Sequence, residues 1–308
     1  MRWTKHGLLI AAPPPLPFGV SHAALPVVVT NEDGLEILFS SRDAQGSSHI
    51  ARARASLDEG QLAIVAYDPE PVLSPGRLGG FDDSGVTTSC LVHAGERRFL
   101  YFTGWSLGRT VPFYFYVGCA VSDDEGRTFG KISPAPVLER NAVDPYLTAS
   151  PWVLIEDGLW RMWYVSGTGW TVADGGPKHR YHIKYAESRD GLTWERGGRV
   201  CIDYRDDSEY AIARPCVVRD EDRYRMWFSA RGDAYRIGYA ESQDGLTWER
   251  RDEDAGIAVS ADGWDSQMQE YPAVFDYRGR RLMLYNGDGY GATGIGWAEL
   301  DRDEAEPA

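Results

Sequence analysis

Apolar and polar positions alternate along this chain over short runs, and no stretch keeps a helical period long enough for a major helix. One segment shows the pattern in full. Pro215-Cys216-Val217-Val218 reads as a buried strand, Asp220 to Asp222 as a charged turn, and Tyr224-Arg225-Met226-Trp227-Phe228 as an aromatic return strand. Ile237-Gly238-Tyr239-Ala240 reads as a third strand, and a turn leads to a fourth that contains Trp248. Short alternating runs bounded by glycine and charged turns mark antiparallel strands.

The pattern recurs. Tyr185-Ala186-Glu187-Ser188 and Asp190-Gly191-Leu192-Thr193-Trp194-Glu195-Arg196 return as Tyr239-Ala240-Glu241-Ser242 and Asp244-Gly245-Leu246-Thr247-Trp248-Glu249-Arg250, 54 positions on (239 − 185). Weaker copies align Ile50, Val117, Ile183, Ile237 and Ile295 as one strand position. They also align Asp33-Gly34, Ala94-Gly95, Asp157-Gly158, Asp220 to Asp222 and Arg278-Gly279 as one turn. Four strands repeated at this period describe a propeller blade. The expected fold is all-β, a five-bladed β-propeller with four antiparallel strands per blade. The fifth unit runs out at Leu300 before a fourth strand, while residues 1–10 look like the fourth strand at 192–200. The N-terminal strand is therefore expected to close the last blade, which removes exposed sheet edges. Residues 1–300 then form a single domain and 301–308 a disordered tail.

Composition narrows the partners. The 308 residues are 43% hydrophobic, enough for a large core, and 11 Trp, 17 Tyr and 34 Gly suit pleated surfaces and tight turns. Thirty-two Lys and Arg against 46 Asp and Glu leave a net charge of -14. That charge repels phosphate backbones and anionic headgroups, so neither nucleic acid nor membrane is an expected partner. No apolar run approaches the roughly 20 residues of a spanning helix, and the first residues hold only a stub of a signal peptide. Cys90, Cys119, Cys201 and Cys216 lack C-x-x-C spacing and read as reduced core thiols of a soluble, cytoplasmic protein. No Gly-x-Gly-x-x-Gly, P-loop or zinc-type spacing occurs, so no cofactor or metal is expected.

The repeat also places polar residues. In a blade the innermost strand lines the channel, and its start lies beside the end of the second strand. Strand starts present Ser21-His22, Asp82-Asp83, Pro145-Tyr146, Glu209-Tyr210 and Ser266-Gln267, followed by Ser150, Arg214 and Glu270-Tyr271. Second-strand ends present Ser41-Arg42-Asp43, Thr103-Gly104-Trp105, Ser166-Gly167, Ser229-Ala230-Arg231 and Asn286-Gly287-Asp288. Asp82, Asp83, Glu209 and Glu270 thus converge on one mouth, and a carboxylic acid with a carboxylate is what glycosidic cleavage requires. Asp82 or Asp83 is the expected base or nucleophile, Glu209 the proton donor, and Glu270 a second acid or a pKa tuner. The alternative is that these acids pair with Arg42, Arg214 and Arg231 to hold blades together. Arg42, Arg214 and Arg231, with His22, suit a carboxylate or phosphate on an acidic or phosphorylated sugar, though Arg42 could equally pair with Asp43. His22 is placed to hydrogen-bond a sugar hydroxyl or to orient a carboxylate, the alternative being a buried histidine satisfied by backbone carbonyls. Trp105, Trp170, Tyr146 and Tyr271 offer stacking faces, and Asp43, Ser150 and Asn286 offer hydrogen bonds.

Two further features read as scaffold or rim. Ser122-Asp123-Asp124-Glu125-Gly126-Arg127-Thr128-Phe129 has the pattern of an Asp box, with shorter versions at Ser188 and Ser242, and these are structural turns between outer strands. Residues 167–180 and 106–112 read as loops on the face of the site, forming a rim, a lid or an oligomer contact.

With these features in place, the whole chain resembles the five-bladed β-propeller glycosidase superfamily, which includes the arabinanase and xylosidase family 43, the invertase family 32 and the mannoside phosphorylase family 130. Ser21-His22-Ala23, Ser40-Ser41-Arg42-Asp43, Gly80-Phe81-Asp82-Asp83-Ser84-Gly85, Ser150-Pro151, Arg214-Pro215, Gly263-Trp264-Asp265 and Tyr285-Asn286-Gly287 look like a bacterial glycosyl or glucosyl hydrolase-like subgroup. Ser21-His22 stands where families 32 and 43 place a catalytic aspartate, and the W-M-N-D-P-N-G, R-D-P and E-C motifs are absent. Asn141-Ala142-Val143-Asp144-Pro145 is similar to the Asp-Pro of family 43, yet falls at the edge of the strand start. The resemblance implies a glycoside hydrolase-like enzyme acting on a bacterial glycan or sugar conjugate. A phosphorylase using arginine-bound phosphate and a non-catalytic carbohydrate-binding propeller are the alternatives.

Overall fold

The computed structural model describes residues 1–31, 34–173 and 175–301; the expected tail, apart from Asp301, and Asp33 of the first turn lie outside them. Strand dominates. Among the described residues, the strands pair as five antiparallel meanders of four. The first meander holds β2 (Ser21–Asn31), β3 (Gly34–Arg42), β4 (Ser48–Asp58) and β5 (Gln61–Tyr67), after β1 (Trp3–Ala11). The second holds β6 (Gly85–Ala94), β7 (Arg97–Leu107), β8 (Phe113–Ser122) and β9 (Gly130–Lys131). The third holds β10 (Thr148–Glu156), β11 (Leu159–Ala173), β12 (Gly176–Ser188) and β13 (Val200–Ile202). The fourth holds β14 (Ala211–Arg219), β15 (Tyr224–Arg231), β16 (Tyr235–Ser242) and β17 (Glu249–Arg250). The fifth holds β18 (Glu270–Tyr277), β19 (Arg280–Asn286) and β20 (Gly294–Leu300), and its fourth strand is β1, with Trp3 opposite Leu300.

Burial explains the register. Ile50, Val117, Ile183, Ile237 and Ile295 all fall on third strands and all are buried, so the sequence alignment marks one structural position. Apolar clusters fill the space between consecutive meanders: Val27, Leu38 and Ile50 against Val86 and Leu100, for example, and Trp3, Tyr285 and Met283 against Cys216 and Trp227. The fifth meander packs on the first in the same way, through Ile295 and Leu284 against Ile37 and Phe39. First strands also touch in succession, β2 to β6, β10, β14 and β18, and β18 returns to β2.

A repeated irregularity turns these first strands toward the centre. Pairing slips near the start of each, and Leu25, Ser150, Arg214 and Tyr271, each followed by proline, have left-handed φ of 44–57°. Such conformations cost non-glycine residues about 1–3 kcal/mol apiece. Bonds between meanders offset that cost. Leu25 N donates to Asn286 Oδ1 (2.8 Å), Thr88 N to Ser40 Oγ (3.0 Å), Ser150 N to Thr103 Oγ1 (2.8 Å) and Tyr271 N to Ser229 Oγ (2.8 Å). The four acceptors are the cross-strand partners of Ile295, Ile50, Val117 and Ile237.

Candidate functional site

One cavity, with a volume of about 470 Å³, is lined from all five meanders. Trp105, Phe113, Phe115, Tyr181, Tyr235, Tyr271 and Tyr290 supply aromatic wall, and Ser40, Ser48, Thr87, Thr103 and Ser150 supply hydroxyls. His22, Arg42, His179 and Arg231 supply the ring nitrogens and positive charge. No carboxylate lines it. Six of the residues expected from the sequence therefore meet here: His22, Arg42, Trp105, Ser150, Arg231 and Tyr271.

Local contacts set each group. Trp105 lies flat against Gly85, where a Cβ would fall 2.3 Å from its Nε1, and that nitrogen donates to Ser48 Oγ (2.7 Å). Arg231, at the end of β15, stands 5.1–5.3 Å from the ring centroids of Tyr210, Tyr235 and Tyr290, a cage of cation–π contacts with no ion pair among the described residues. Arg42 is exposed, and among the described residues it makes no ion pair, so the alternative pairing with Asp43 is not seen. His22 Nδ1 is 3.0 Å from Ser21 Oγ rather than bonded to a backbone carbonyl, and burial, with help from Arg42, keeps its pKa low. Tyr181 and Tyr235, one repeat apart, share a hydrogen bond of 2.7 Å between hydroxyls.

The acids stand elsewhere, and this corrects the expected convergence. Asp82 is buried and meets Lys131 Nζ of β9 (2.5 Å), beside a separate depression. Glu209 is buried under a two-pronged bond from Arg250 of β17, at 2.7 Å to each oxygen. Asp144 takes Arg196 Nη1 (3.1 Å), Tyr164 and Ser166, and Asp265 takes Lys5 Nζ of β1 (2.9 Å). These four share one role. In each of four meanders an acid just before the first strand pairs with a cation on or near the fourth, pinning the incoming chain to the outer edge. Asp83 closes its own turn, accepting from Gly79 N (3.0 Å) and Ser84 Oγ (2.9 Å).

Glu270 differs. It is fully buried beside Tyr271, behind the cavity wall, and its oxygens accept no hydrogen bond of ordinary geometry. Burial holds its pKa well above the usual carboxylate range, although Arg231 acts to lower it. Of the four expected acids it is the one next in sequence to a cavity-lining residue, Tyr271, and its burial favours the protonated form.

Three other expected ligand residues are structural. Arg214 is buried and spans the centre, donating from Nη1 to Thr88 O (2.8 Å) and from Nη2 to Pro26 O (2.7 Å). Burial lowers its pKa to about 10. Asn286 is consumed by the bonds that join the fifth and first meanders, and Asp43 caps the β3–β4 turn through Gln45 N, Ser47 N and His49. Tyr146 stands outside the cavity lining, exposed, while Trp170 packs on Phe113. The turns at Ser122, Ser188 and Ser242 do close on their aspartates between third and fourth strands.

Sequence reasoning missed His179, Tyr181, Tyr235 and Tyr290. For the middle two the signal was available, because they are related by the 54-residue repeat. Residues 167–173 and 176–180 form no loose loop: β11 and β12 extend as a paired arm with Trp170 opposite His179. His179 stacks on Tyr181 at 4.8 Å, and Phe113 meets Trp170 at 5.2 Å.

Among the described residues, no helix is long and apolar enough to cross a membrane, and no cluster of His, Cys, Asp and Glu could hold a metal ion.

No family model matches the chain. Among solved structures it is similar to a putative glycoside hydrolase from Bacteroides ovatus, at 12% identity and a TM-score of 0.73 over 100% of this chain and 98% of that one. It is likewise similar to a thermostable family-43 glycoside hydrolase, at 16% identity and a TM-score of 0.68 over 94% and 93%. The family-32 β-fructofuranosidase of Bombyx mori follows at 14% and 0.66, over 97% and 62%. The chain thus shares the fold of these glycoside hydrolases. Two uncharacterised proteins of Mycobacterium tuberculosis, from strains CDC 1551 / Oshkosh and ATCC 25618 / H37Rv, are each 47% identical over 302 residues, covering 98% of this chain and 100% of theirs. The chain belongs to the same family as these mycobacterial proteins.

Proposed function

We propose that the five meanders are the blades of one closed propeller domain spanning residues 1–300, and that its central cavity binds a sugar bearing a carboxylate, phosphate or sulfate whose glycosidic bond is cleaved. The observation that carries this reading is the pair Arg42 and Arg231: two guanidinium groups without ion pairs, on a cavity wall that holds no carboxylate. In a chain of net charge -14, leaving two arginines unpaired at one site favours an anionic ligand. The volume lies within the range of about 300–1,000 Å³ usual for small-ligand sites, and the aromatic faces suit a pyranose ring. A bacterial glycan or sugar conjugate is the substrate class, and the buried reduced thiols fit a cytoplasmic setting.

Cleavage needs a proton for the leaving oxygen and a nucleophile for the anomeric carbon. Glu270, in which burial favours the protonated form, is the proton source, and because it is fully buried its proton reaches the cavity by way of the wall, where the adjacent Tyr271 is the candidate carrier. Asp82, Asp83 and Glu209 are the weaker choices, since none lines the cavity. The lack of a second wall carboxylate to activate water favours phosphorolysis as the alternative reading, with phosphate held by the arginines as the nucleophile.

A panel of neutral, uronic, sulfated and phosphorylated glycosides, with and without inorganic phosphate, tests this. Turnover of anionic members that falls strongly in Glu270→Gln supports cleavage, and dependence on phosphate selects phosphorolysis. Saturable binding without turnover under either condition would make the protein a binding propeller. Preference for neutral sugars would sink the reading.

A further inference from the structure

We propose that His179 is a ligand-binding residue of the cavity: with Arg231 it forms the seat of the ligand's anionic group and takes up a proton when that group binds. The inference rests on the anionic-sugar reading and deepens it by naming the seat and its protonation.

The geometry comes first. His179 stands on the β11–β12 arm and Arg231 at the end of β15, and both line the cavity. Tyr210 neighbours both, its ring centroid 6.0 Å from the His179 ring and 5.3 Å from the Arg231 guanidinium carbon. Neither side chain is free to wander. The imidazole is stacked at 5° on Tyr181 and flanked by Phe113 and Trp170, while Arg231 is caged by Tyr210, Tyr235 and Tyr290. Yet one polar atom of each lacks a protein partner among the described residues: His179 Nε2 and Arg231 Nε are buried without a hydrogen bond. Buried polar atoms are nearly always satisfied, and two rigid donors left open at one wall mark a recognition site.

The charges around His179 determine what binds. Lys178 of its own strand sits 3.8 Å over the Tyr210 ring, and Arg231 faces it from β15. Tyr181 lies on its own strand, Tyr210 precedes β14, and Trp170 and Phe113 complete its surroundings. The carboxyl that interacts with Arg231 is Glu270, in which burial favours the neutral form and so weakens any offset of this charge. Burial first, then Arg231 and Lys178, lower the His179 pKa to about 4, so the ring is neutral in the empty cavity. An anion placed against Arg231 reverses the local field, and the imidazole becomes a second charged donor.

The test follows the ring protons of the six histidines by NMR, with His179→Gln assigning the resonance and Arg231→Ala checking the seat. The probe is inorganic sulfate, which does not itself titrate in this range, against sodium chloride at equal ionic strength. The expected result is a His179 midpoint that rises by about two units with sulfate, which is what a tenfold gain in affinity at pH 5 requires, and stays put with chloride. Sulfate affinity should also rise on the order of tenfold from pH 8 to pH 5 in the native protein, and by much less in His179→Gln. Saturable sulfate binding that leaves the His179 midpoint unchanged, or moves only His22, would overturn the inference while sparing the anionic-sugar reading. Absence of saturable binding by sulfate and by anionic sugars alike would overturn both.

Discussion

Asn286 and Leu25, 261 positions apart in sequence, join the last meander to the first: Asn286 Oδ1 accepts from Leu25 N at 2.8 Å while its Nδ2 donates to Ala23 O at 2.7 Å. A further bond from Nδ2 reaches Gly294 O (2.7 Å), so one buried amide satisfies three backbone groups. Asn286→Ala should cost about 3 kcal/mol or more, because those groups would stay buried without partners. Urea unfolding measures it. A variant of native stability that loses sugar binding would return Asn286 to the ligand-binding set.

Glu209→Gln tests the assignment of the outer ion pairs. Breaking its buried bond with Arg250 should lower stability by about 3 kcal/mol, and Asp82→Asn should act similarly through Lys131. Ligand affinity and any turnover should change by less than a few-fold where the variants remain folded. A large loss of turnover at native stability would restore the catalytic reading of these acids.

Glu270 yields a prediction about pH. Its folded pKa lies above its ordinary value near 4.5, so the contribution of its protonated form is fully present below that value and is lost as pH rises toward the folded pKa. Glu270→Gln mimics the protonated carboxyl and escapes the loss. It should match the native protein in stability near pH 4 and exceed it at pH 8, in melts across that window. Equal stability at both ends would mean that the folded carboxyl titrates normally.

Arg42→Ala and Arg231→Ala should each weaken an anionic sugar, and the native affinity should fall as salt is raised, since exposed ionic attraction is screened over about 8–10 Å. Calorimetry in a salt series reads both effects. Identical affinity for matched neutral and anionic sugars would leave these arginines without a ligand role.

The four thiols should be silent in the folded protein. Burial raises the pKa of Cys90 to about 11 and those of Cys119, Cys201 and Cys216 to about 12. Moreover, Cys90 and Cys216 lie in inter-meander contacts, accepting from Val153 N (3.4 Å) and Val274 N (3.1 Å). A colourimetric disulfide reagent at pH 8 should label none before unfolding and all four after it. Rapid labelling of even one in the native state would contradict this packing.

Strand order and register were legible in the sequence because they depend on local alternation and on a repeat. Ile50, Val117, Ile183, Ile237 and Ile295 are interchangeable apolar positions, and burying one face fixes which residues point inward. The pairing of β1 with β20 was legible for the same reason, as an orphan strand matched an unfinished unit. The cavity was half legible: alignment brings Arg42, Arg231, Trp105 and Tyr271 to one mouth. Which acids face that mouth was decided only by tertiary structure. The cation that claims Asp82 lies 49 positions away, and those that claim Glu209 and Asp265 lie 41 and 260 away. A buried carboxylate goes to whichever cation the fold brings within bonding distance, and that choice depends on outer-strand placement, which no local pattern encodes. His179 escaped for a related reason: a glycine-rich segment reads as a loop until the paired arm of β11 and β12 turns its ring into the cavity.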